Sequence, residues 1–199
     1  MKEENIIIHR VNNIELLKSI DYKFGCEVDI RAKGSKLILN HDPFKSGENL
    51  IDYLDEYRHG TLVLNIKETG IENTVLEEIK KRNIKSYFLL DVEMPYTIKE
   101  CFKKKQNIAV RFSEFEPIEN AVLFRNKLNW IWIDTVTKLP VNQQNFKIIN
   151  QFNVCIVCPS LWHRTEDIVE IKRKLSKFNF DNLNVITKKK YANDWLKTF

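Results

Sequence analysis

The sequence predicts an α/β fold, a (β/α)8 barrel with trimmed loops. Short apolar runs alternate with helix-like segments along the chain, and such alternation is typical of βαβ units around a parallel sheet. The runs are nearly continuous, as expected of strands covered on both faces. Nine runs occur, and the second and third are joined by the turn Lys33–Ser35 without a helix, which leaves eight repeats. Eight repeats favour a closed barrel, although such barrels typically have roughly 250 residues; a doubly wound open sheet is the alternative.

Each predicted strand is a short apolar run bounded by polar residues, which is the usual strand signal. The chain has only five glycines and five prolines, so the turns between the runs are tight and few. In chain order the predicted strands cover Asn5–His9, Phe24–Ile30, Leu37–His41, Thr61–Lys67, Tyr87–Asp91, Ile108–Phe112, Trp130–Asp134, Val154–Cys158 and Asn184–Thr187.

The helices of the first half of the chain are predicted from apolar spacing. One begins at Ile14, and Leu50–Tyr57 carries apolar residues at positions i, i+3, i+4 and i+7, the stripe of an amphipathic helix. Ile71–Lys81 has a similar apolar face, and Ile98–Phe102 is a shorter segment of the same kind.

The helices of the second half have recognisable starts. Pro117 suits a first helical turn and precedes Ile118–Arg125,. Asn142–Gln151 follows the seventh strand-like run. Thr165 stands before Glu166–Lys177, whose first residues are acidic, and acidic side chains stabilise the start of a helix.

Composition predicts a soluble globular protein with one domain that covers residues 1–199. Hydrophobic residues make up 43% and charged residues 30% of the chain, and neither disorder nor a fibrous fold has this balance. No apolar run approaches the roughly 18 residues that span a bilayer, and the first residues lack a secretory apolar region. We therefore expect a cytoplasmic protein without integral membrane association, and the oligomeric state stays open.

The net charge of +5 does not predict a nucleic-acid partner. The basic triplets occur in separate, helix-like segments that also contain Glu and Asp, so solvated helix faces explain them better than one basic binding surface. These triplets are Lys80–Arg82, Lys103–Lys105, Lys172–Lys174 and Lys188–Lys190.

Polar and ionisable residues collect at the ends of the predicted strands. In a (β/α)8 barrel the active site lies at the carboxyl ends of the strands, so these side chains are expected to face one pocket. They are His9 and Arg10, Glu27 and Asp29, Asn40–Asp42, Asn65–Glu68, Asp91, Arg111, Asp134 and Thr187–Lys188.

Two acidic residues share one face of the second strand. Glu27 and Asp29 are two positions apart, so both side chains point the same way. Carboxylates this close repel each other unless a cation joins them, and oxygen ligands suit a hard divalent cation. The alternative is that both face outward and pair with Lys23, Arg31 or Lys33, and the residues alone do not decide between the two.

Two further predicted strands add polar groups to the same end. Asn65 and Lys67 share a face, and they would offer a carbonyl oxygen and an ammonium group to the site. Arg111 is a candidate second phosphate ligand because its guanidinium group is planar and bidentate. A structural ion pair of Arg111 with Glu114 or Glu116 is equally open.

The order and spacing of four motifs carry a family resemblance. His9-Arg10, Gly25–Asp29, Leu37–Pro43 and Val63–Lys67 together resemble the pattern of the glycerophosphodiester phosphodiesterases, which belong to the phosphatidylinositol-phospholipase-C-like barrels. The resemblance covers about the first 70 residues. After them only the alternation of predicted strands and helices matches the family.

The resemblance implies a phosphodiesterase on a (β/α)8 barrel. It implies that His9 and His41 act as the acid and base and that Arg10 binds the phosphate. It also implies a divalent cation, Mg²⁺ or Ca²⁺, held by Glu27 and Asp29.

The chain departs from the family pattern at several positions. Val11 replaces the glycine that usually follows His-Arg, and Asn65 stands where the third metal ligand is usually a glutamate. Lys188 follows Thr187 in place of the usual aspartate, and the usual insertion after His-Asp is nearly absent. A neutral Asn ligand would lower the affinity for a cation.

Three functions remain as hypotheses. The first is metal-dependent hydrolysis of a small glycerol- or polyol-phosphodiester by His acid–base catalysis. The second is a lyase that stops at a cyclic phosphate. The third is a degenerate barrel that binds a phosphorylated ligand or a partner protein without turnover.

Overall fold

A computed structural model describes residues 1–103 and 106–196. The strands are β1 (Ile6–Ile8), β2 (Gly25–Lys33), β3 (Lys36–Leu39), β4 (Glu48–Asn49), β5 (Leu62–Ile66), β6 (Tyr87–Leu90), β7 (Gln106–Phe112), β8 (Leu128–Ile133), β9 (Asn153–Val157) and β10 (Leu183–Thr187). The helices are α1 (Ile14–Lys18), α2 (Leu50–Glu56), α3 (Glu72–Lys81), α4 (Met94–Cys101), α5 (Ile118–Leu123), α6 (Gln143–Ile149), α7 (Ile168–Leu175) and α8 (Ala192–Leu196).

Eight parallel strands close into a barrel, as the sequence predicts. Their order is β1, β2, β5, β6, β7, β8, β9 and β10, and β1 completes the ring because it pairs with both β10 and β2. Ile7, for example, is opposite Ile186 on one side and Gly25 on the other. The open doubly wound alternative is therefore wrong. The carboxyl ends of all eight strands meet at one mouth.

An antiparallel arm extends one wall of the barrel. β2 is longer than its neighbours, and its second half pairs with β3, which in turn pairs with β4. The backbone amide of Asn40 donates to the carbonyl oxygen of Asp29 over 3.0 Å, so the loop after β3 begins at the barrel mouth. Gly47 closes this loop against β3, since a Cβ there would lie 2.0 Å from the carbonyl oxygen of Leu39. The arm therefore delivers His41 to the mouth.

The core has an inner and an outer layer. The outer layer packs strand residues such as Cys26, Val28 and Ile30 against the helices. The inner layer fills the barrel with ten buried residues, and Phe88 and Trp130 stack in it with ring centroids 4.3 Å apart. These ten are Ile7, Val63, Phe88, Leu90, Ala109, Trp130, Trp132, Cys155, Val157 and Ile186. Trp130 and Trp132 thus serve packing, in line with their apolar run.

Several element bounds differ from those predicted. α4 begins at Met94 rather than Ile98, because Pro95 fits the first helical turn,. β7 and β8 each begin two residues early, with an irregular register between Gln106 and Ala109. β4 and α8 are additional short elements, each too short to show a periodic pattern. Lys104 and Lys105 of the predicted basic triplet lie outside the described residues.

None of the helices in residues 1–103 and 106–196 combines the length and the apolar character needed to cross a bilayer.

Candidate active site

The turn after β1 brings its backbone to the acidic residues of β2. Arg10 has a φ of 56°, a left-handed conformation that is uncommon for residues other than glycine. In this conformation the Arg10 amide donates to Glu27 Oε2 over 2.7 Å. The next amide, of Val11, donates to the carbonyl oxygen of Glu27 over 2.8 Å. Such backbone outliers often occur at functional sites, where the surrounding contacts stabilise them.

Glu27 lies inside the barrel and is 1% exposed. Its Oε1 accepts a hydrogen bond from Asn65 Nδ2 over 2.9 Å. Burial, and then the nearby Asp29 carboxylate, raises the pKa of Glu27 to about 7, although the hydrogen bonds from Asn65 and Arg10 oppose this rise. A buried carboxylate with this pKa is readily stabilised in its charged form by an added cation.

Asp29 is fully buried, and the side chain of Asn12 makes two hydrogen bonds to it. Asn12 Nδ2 donates to Asp29 Oδ2 over 2.8 Å, while Asn12 Oδ1 accepts from the Asp29 amide over 2.8 Å. Two buried oxygens at this site, Asp29 Oδ1 and Asn65 Oδ1, lack a hydrogen-bond partner. Lys67 Nζ lies 3.6 Å from Asp29 Oδ1, so a positive charge faces that oxygen at ion-pair distance.

Substitution of Asn12 by alanine is expected to remove the two hydrogen bonds that hold Asp29 in place. The change leaves a buried carboxylate oxygen and a backbone amide unpaired, which costs about 1–3 kcal/mol of unfolding free energy. The affinity for a divalent cation is expected to fall about 10–100-fold, as for other outer-shell substitutions. Urea denaturation and titration calorimetry measure the two effects, with the exposed Asn120→Ala as a control. Unchanged stability and affinity would show that Asn12 does not hold Asp29.

A chain of alternating charges runs from Asp29 across the mouth. Lys67 Nζ lies 3.1 Å from Asp91 Oδ2, and Asp91 Oδ1 lies 2.5 Å from an Arg111 nitrogen. Asp91 itself has a φ of 57°, so the chain turns sharply just after β6 to place its carboxylate between the two cations. Asp91 therefore fixes the position of Lys67 at the site.

Arg111 is held by three carboxylates. Its guanidinium group pairs with Asp91, with Glu116 at 3.0 Å and with Asp134. The ion pair with Glu116 that the sequence left open is thus present, whereas Glu114 instead accepts hydrogen bonds from Thr137. Each nitrogen of the Arg111 fork is engaged, so a phosphate would compete with these carboxylates for it.

His9 stands at the mouth directly after β1 and is half-buried. Its amide donates to the carbonyl oxygen of Thr187 over 2.9 Å, which ties the turn to the neighbouring strand. Burial, and then the positive charges of Arg10 and Lys188, lowers the pKa of His9 to about 3. Because His41 and Lys67 also lower it, His9 faces a group of cations. Its imidazole is therefore neutral near pH 7, and the same cations disfavour its protonation unless a negatively charged group lies beside them.

His41 reaches the mouth from the antiparallel arm, with 41% of its side chain exposed. Its Nδ1 lies 2.9 Å from Asp42 Oδ1, and this contact lowers the pKa of Asp42. The carbonyl oxygen of His41 accepts hydrogen bonds from the Arg31 guanidinium over 3.2 and 3.0 Å. Arg31 therefore anchors the backbone, while Asp42 orients the ring.

The side chains at the mouth offer oxygen donors of the kind that a divalent cation takes. Within the described residues no three His, Cys, Asp or Glu side chains are arranged to hold a metal ion. Two carboxylates and one amide are nevertheless present. Asn65 Oδ1 and Asp29 Oδ1 are hard oxygen donors without a hydrogen-bond partner,, although Lys67 lies at ion-pair distance from Asp29 Oδ1. The residues fit a cation, although with two carboxylates rather than three.

The structure thus brings most of the predicted residues together. His9, Arg10, Glu27, Asp29 and Asn65 meet at the barrel mouth. Sequence reasoning missed the roles of Asn12 and Asp91. Asp91 was visible as a polar strand end, but nothing in the sequence marked Asn12, whose contacts depend on the left-handed turn at Arg10.

Comparison with known proteins shows similarity in structure rather than in sequence. The chain matches no protein-family model and no curated protein. A solved structure from Agrobacterium tumefaciens strain C58, provisionally assigned as a glycerophosphoryl diester phosphodiesterase, superimposes with a TM-score of 0.65 at 10% identity. The match covers 96% of both chains.

Two further solved structures share the barrel. A glycerophosphoryl diester phosphodiesterase from Parabacteroides distasonis matches 96% of this chain and 85% of its own, with 12% identity and a TM-score of 0.61. A glycerophosphodiester phosphodiesterase from the same Agrobacterium strain matches 91% of this chain and 96% of its own, with 12% identity and a TM-score of 0.62.

The chain has the fold of the glycerophosphodiester phosphodiesterases. The predicted (β/α)8 barrel is thereby confirmed, and the resemblance of the first 70 residues extends to the architecture of nearly the whole chain.

Proposed function

We propose that this barrel is a phosphodiesterase that hydrolyses a small glycerol- or polyol-phosphodiester with the help of a divalent cation. The observation that carries the proposal is the pair of buried carboxylates, Glu27 and Asp29, at the same mouth as two imidazoles. The shared fold with glycerophosphodiester phosphodiesterases supports it.

Cationic side chains at the mouth would receive the phosphate. Arg10 is exposed, with its Nε 3.9 Å from Asp29 Oδ2, and Lys67 lies beside the same carboxylate. Negative charge grows on the phosphate oxygens during attack, so fixed cations stabilise the transition state more than the ground state. In this proposal Arg10 and Lys67 bind the phosphate. Arg111, which pairs with three carboxylates, acts as a structural cation.

Glu27, Asp29 and Asn65 would hold the divalent cation, for which Mg²⁺ and Ca²⁺ are the candidates. When bound, such an ion supplies Lewis-acid stabilisation of the phosphate and of a developing alkoxide. Burial and Asp29 raise the pKa of Glu27, and a cation bound beside it would favour its charged form.

The two imidazoles have distinct surroundings that suit distinct roles. His9 is neutral and half-buried among cations. A bound phosphate would offset those positive charges and make His9 more basic, so that it would accept the proton of the attacking hydroxyl or water. His41 is more exposed, and Asp42 holds its Nδ1, so its Nε2 would donate a proton to the departing alkoxide. Each role would contribute about 10²–10⁴-fold to the rate.

Hydrolysis of bis(p-nitrophenyl) phosphate with Mg²⁺, Ca²⁺ or Mn²⁺ tests the proposal. We expect cation-dependent release of p-nitrophenol that EDTA abolishes. With glycerophosphodiesters in ¹⁸O-labelled water, incorporation of one ¹⁸O into the product phosphate excludes a lyase that stops at a cyclic phosphate. Absence of turnover with every cation would contradict the phosphodiesterase.

The neutral side chain of Asn65 favours a second candidate, a barrel that binds a phosphorylated ligand without turnover. Asn65 Oδ1 is a partnerless oxygen where the family pattern has a carboxylate. Inorganic phosphate or glycerol phosphate that binds with micromolar affinity in the absence of any hydrolysis would support this candidate.

Substitution of Asn65 by glutamate is expected to strengthen the cation site. A third carboxylate beside Glu27 and Asp29 adds Coulomb attraction, and we expect an affinity for Mg²⁺ or Ca²⁺ at least about tenfold higher by calorimetry. Without a cation the variant is expected to be less stable, because three buried carboxylates repel. Asn65→Leu, which resembles asparagine in shape but has no oxygen ligand, serves as a control. Equal cation affinities in the wild type, Asn65→Glu and Asn65→Leu would contradict the placement of the site.

A further inference from the structure

A second cavity lies at the amino end of the barrel, opposite the candidate active site. Its volume is about 450 Å³, within the roughly 300–1,000 Å³ that is typical of small-molecule sites. Its wall is formed by residues at or near the starts of the strands, such as Asn5 before β1 and Asn153 at the start of β9. Apolar inner-layer residues such as Ile7 and Val63 stand along the strands between this cavity and the mouth.

Polar side chains occupy the first inward position of five strands around this cavity. Each of them lies two residues before a member of the apolar inner layer, so its side chain points into the barrel. The pairs are Asn5 and Ile7, Thr61 and Val63, Asn107 and Ala109, Asn153 and Cys155, and Asn184 and Ile186. Branched apolar side chains normally fill such a barrel. This end therefore departs from the usual packing, as functional sites often do.

Exposure to solvent at the strand ends does not account for these side chains. Asn184 is 3% exposed and Thr61 is 8% exposed. Asn184 Nδ2 donates to the Val154 carbonyl oxygen and to Asn182 Oδ1, each over 3.2 Å, and Asn182 Nδ2 donates to Asn153 Oδ1 over 2.9 Å. This network fixes three amides of the wall. Among the described residues it uses neither Asn184 Oδ1 nor Asn153 Nδ2, which leaves an acceptor and a donor for a ligand.

The wall of the cavity favours a neutral ligand. Of the described residues that line it, only Glu4 and Lys85 are charged, and their charges are opposite. Both side chains are exposed, so they stand at the rim rather than at the base. A phosphate or an ammonium group would give up its hydration here without gaining a buried counter-charge, which is costly.

The amides and the aromatic surface together suit a sugar ring. An asparagine amide offers two donors and an acceptor oxygen, and a hydroxyl group both donates and accepts. Because the asparagines come from several strands, they reach a ligand from several sides, and a sugar ring carries hydroxyl groups around its circumference. The apolar C–H faces of such a ring need an apolar surface, which Trp130 and Tyr87 supply in the same cavity.

A larger neighbouring cavity extends this site. It has a volume of about 640 Å³ and shares Glu4, Asn5 and Asn182 with the first cavity. Phe178 and Phe180, both partly exposed, line it. The two cavities together therefore offer amides and aromatic rings over a length greater than one sugar unit.

We propose that the amino end of the barrel binds a neutral oligosaccharide. Asn107, Asn153 and Asn184 hydrogen-bond to the hydroxyl groups of one unit, and Trp130 packs against its C–H face. Further units lie along Phe178 and Phe180. The site stands apart from the mouth, so the barrel carries two ligand sites at opposite ends.

Calorimetry and saturation-transfer NMR with the full chain test this site. The probes are glucose, maltotriose, cellotriose and triacetylchitotriose. We expect at least one trisaccharide to bind, with an affinity about tenfold or more above that of glucose. The affinity is expected to fall at least about tenfold in Asn107→Ala and in Asn5→Ala, two partly exposed positions whose folding is checked by urea denaturation. Asn120→Ala, an exposed change on α5, is the control.

Variants at the mouth separate this inference from the proposed function. Glu27→Gln and His9→Ala are expected to bind the trisaccharide as the wild type does, and Asn107→Ala is expected to hydrolyse bis(p-nitrophenyl) phosphate at the wild-type rate. Loss of saccharide binding in Glu27→Gln would place the sugar in the mouth and overturn the inference. Binding of none of the probes, or undiminished binding by both asparagine variants, would overturn it as well, whatever the result for the phosphodiester.

Discussion

Replacement of His9 by alanine is expected to lower kcat for a phosphodiester by about 10²–10⁴-fold. In the proposed function the imidazole of His9 is the proton acceptor, and burial and nearby cations, which hold its pKa at about 3, keep it neutral at pH 7. Removal of the side chain leaves Arg10 and Lys67, the proposed phosphate ligands, in place, so KM is expected to change little. Steady-state kinetics at pH 7 measure both quantities.

His59→Ala is the control, because His59 precedes β5 and lies at the end of the barrel opposite the mouth. It is expected to retain wild-type kinetics. Free imidazole added to His9→Ala is expected to restore part of the rate, which a merely misfolded variant would not show. A His9→Ala enzyme with wild-type kcat would remove His9 from the chemistry.

The Glu27→Gln substitution is expected to raise stability and abolish the response to cations. Glutamine keeps an oxygen for the Arg10 amide, and the Asn65 amide can rotate to offer Oδ1 in place of Nδ2. The variant loses a buried charge whose pKa of about 7 lies above the ordinary value of 4.5. At pH 8 we expect a gain on the order of 2–3 kcal/mol in the free energy of unfolding.

The pH dependence has a definite direction. Between about pH 4.5 and 7 the folded wild-type protein holds a proton on Glu27 that the unfolded chain has released. Its stability therefore falls as the pH rises through this window and levels off above it. The advantage of the glutamine variant is smallest below pH 4.5 and largest above pH 7.

Urea denaturation from pH 4 to 8, with and without Mg²⁺ or Ca²⁺, measures these effects. A cation bound at the proposed site would stabilise the folded wild type by mass action, and the variant is expected to lose this gain. Glu119→Gln, an exposed change on α5, is expected to match the wild type throughout. A Glu27→Gln variant that is less stable at pH 8, or that still responds to cations, would contradict the assignment of Glu27.

The barrel was predictable because each of its strands has a clear signal in the sequence. Each strand is covered on both faces, so its apolar run is almost unbroken, and eight repeats left few alternatives. β4 and α8 were not predictable, since two and five residues give no period to detect. The start of α4 was missed because the apolar spacing begins only at Ile98, although Pro95 suits a first helical turn,.

The alternation of side chains along a strand could not decide whether the acidic residues of β2 face into the barrel or outward. The sequence showed that Glu27 and Asp29 share a face, and either face was compatible with their neighbours. The structure places both inside the barrel, while Val28 packs outward under the helices. Lys23, a possible outward partner, pairs instead with Glu3.

The contacts that orient the site were beyond sequence reasoning. Arg10 and Asp91 adopt left-handed backbone conformations without being glycine, and no composition signal marks such residues. The turn at Arg10 brings Asn12 within hydrogen-bond distance of Asp29. The turn at Asp91 places its carboxylate between Lys67 and Arg111. Long-range side-chain pairing of this kind is set by tertiary packing.

The antiparallel arm places His41, one of the two proposed acid–base residues, outside the closed ring of strands. Its loop lies between Asn40 and Gly47 and joins β3 on one side to β4 and α2 on the other. A single protease cut in this loop would leave the eight strands of the ring hydrogen-bonded in a circle, while the backbone around His41 would lose one of its two covalent anchors. Under the proposed function such a nicked protein would keep more of its thermal stability than of its activity, so thermal stability alone is a poor guide to whether a preparation is active.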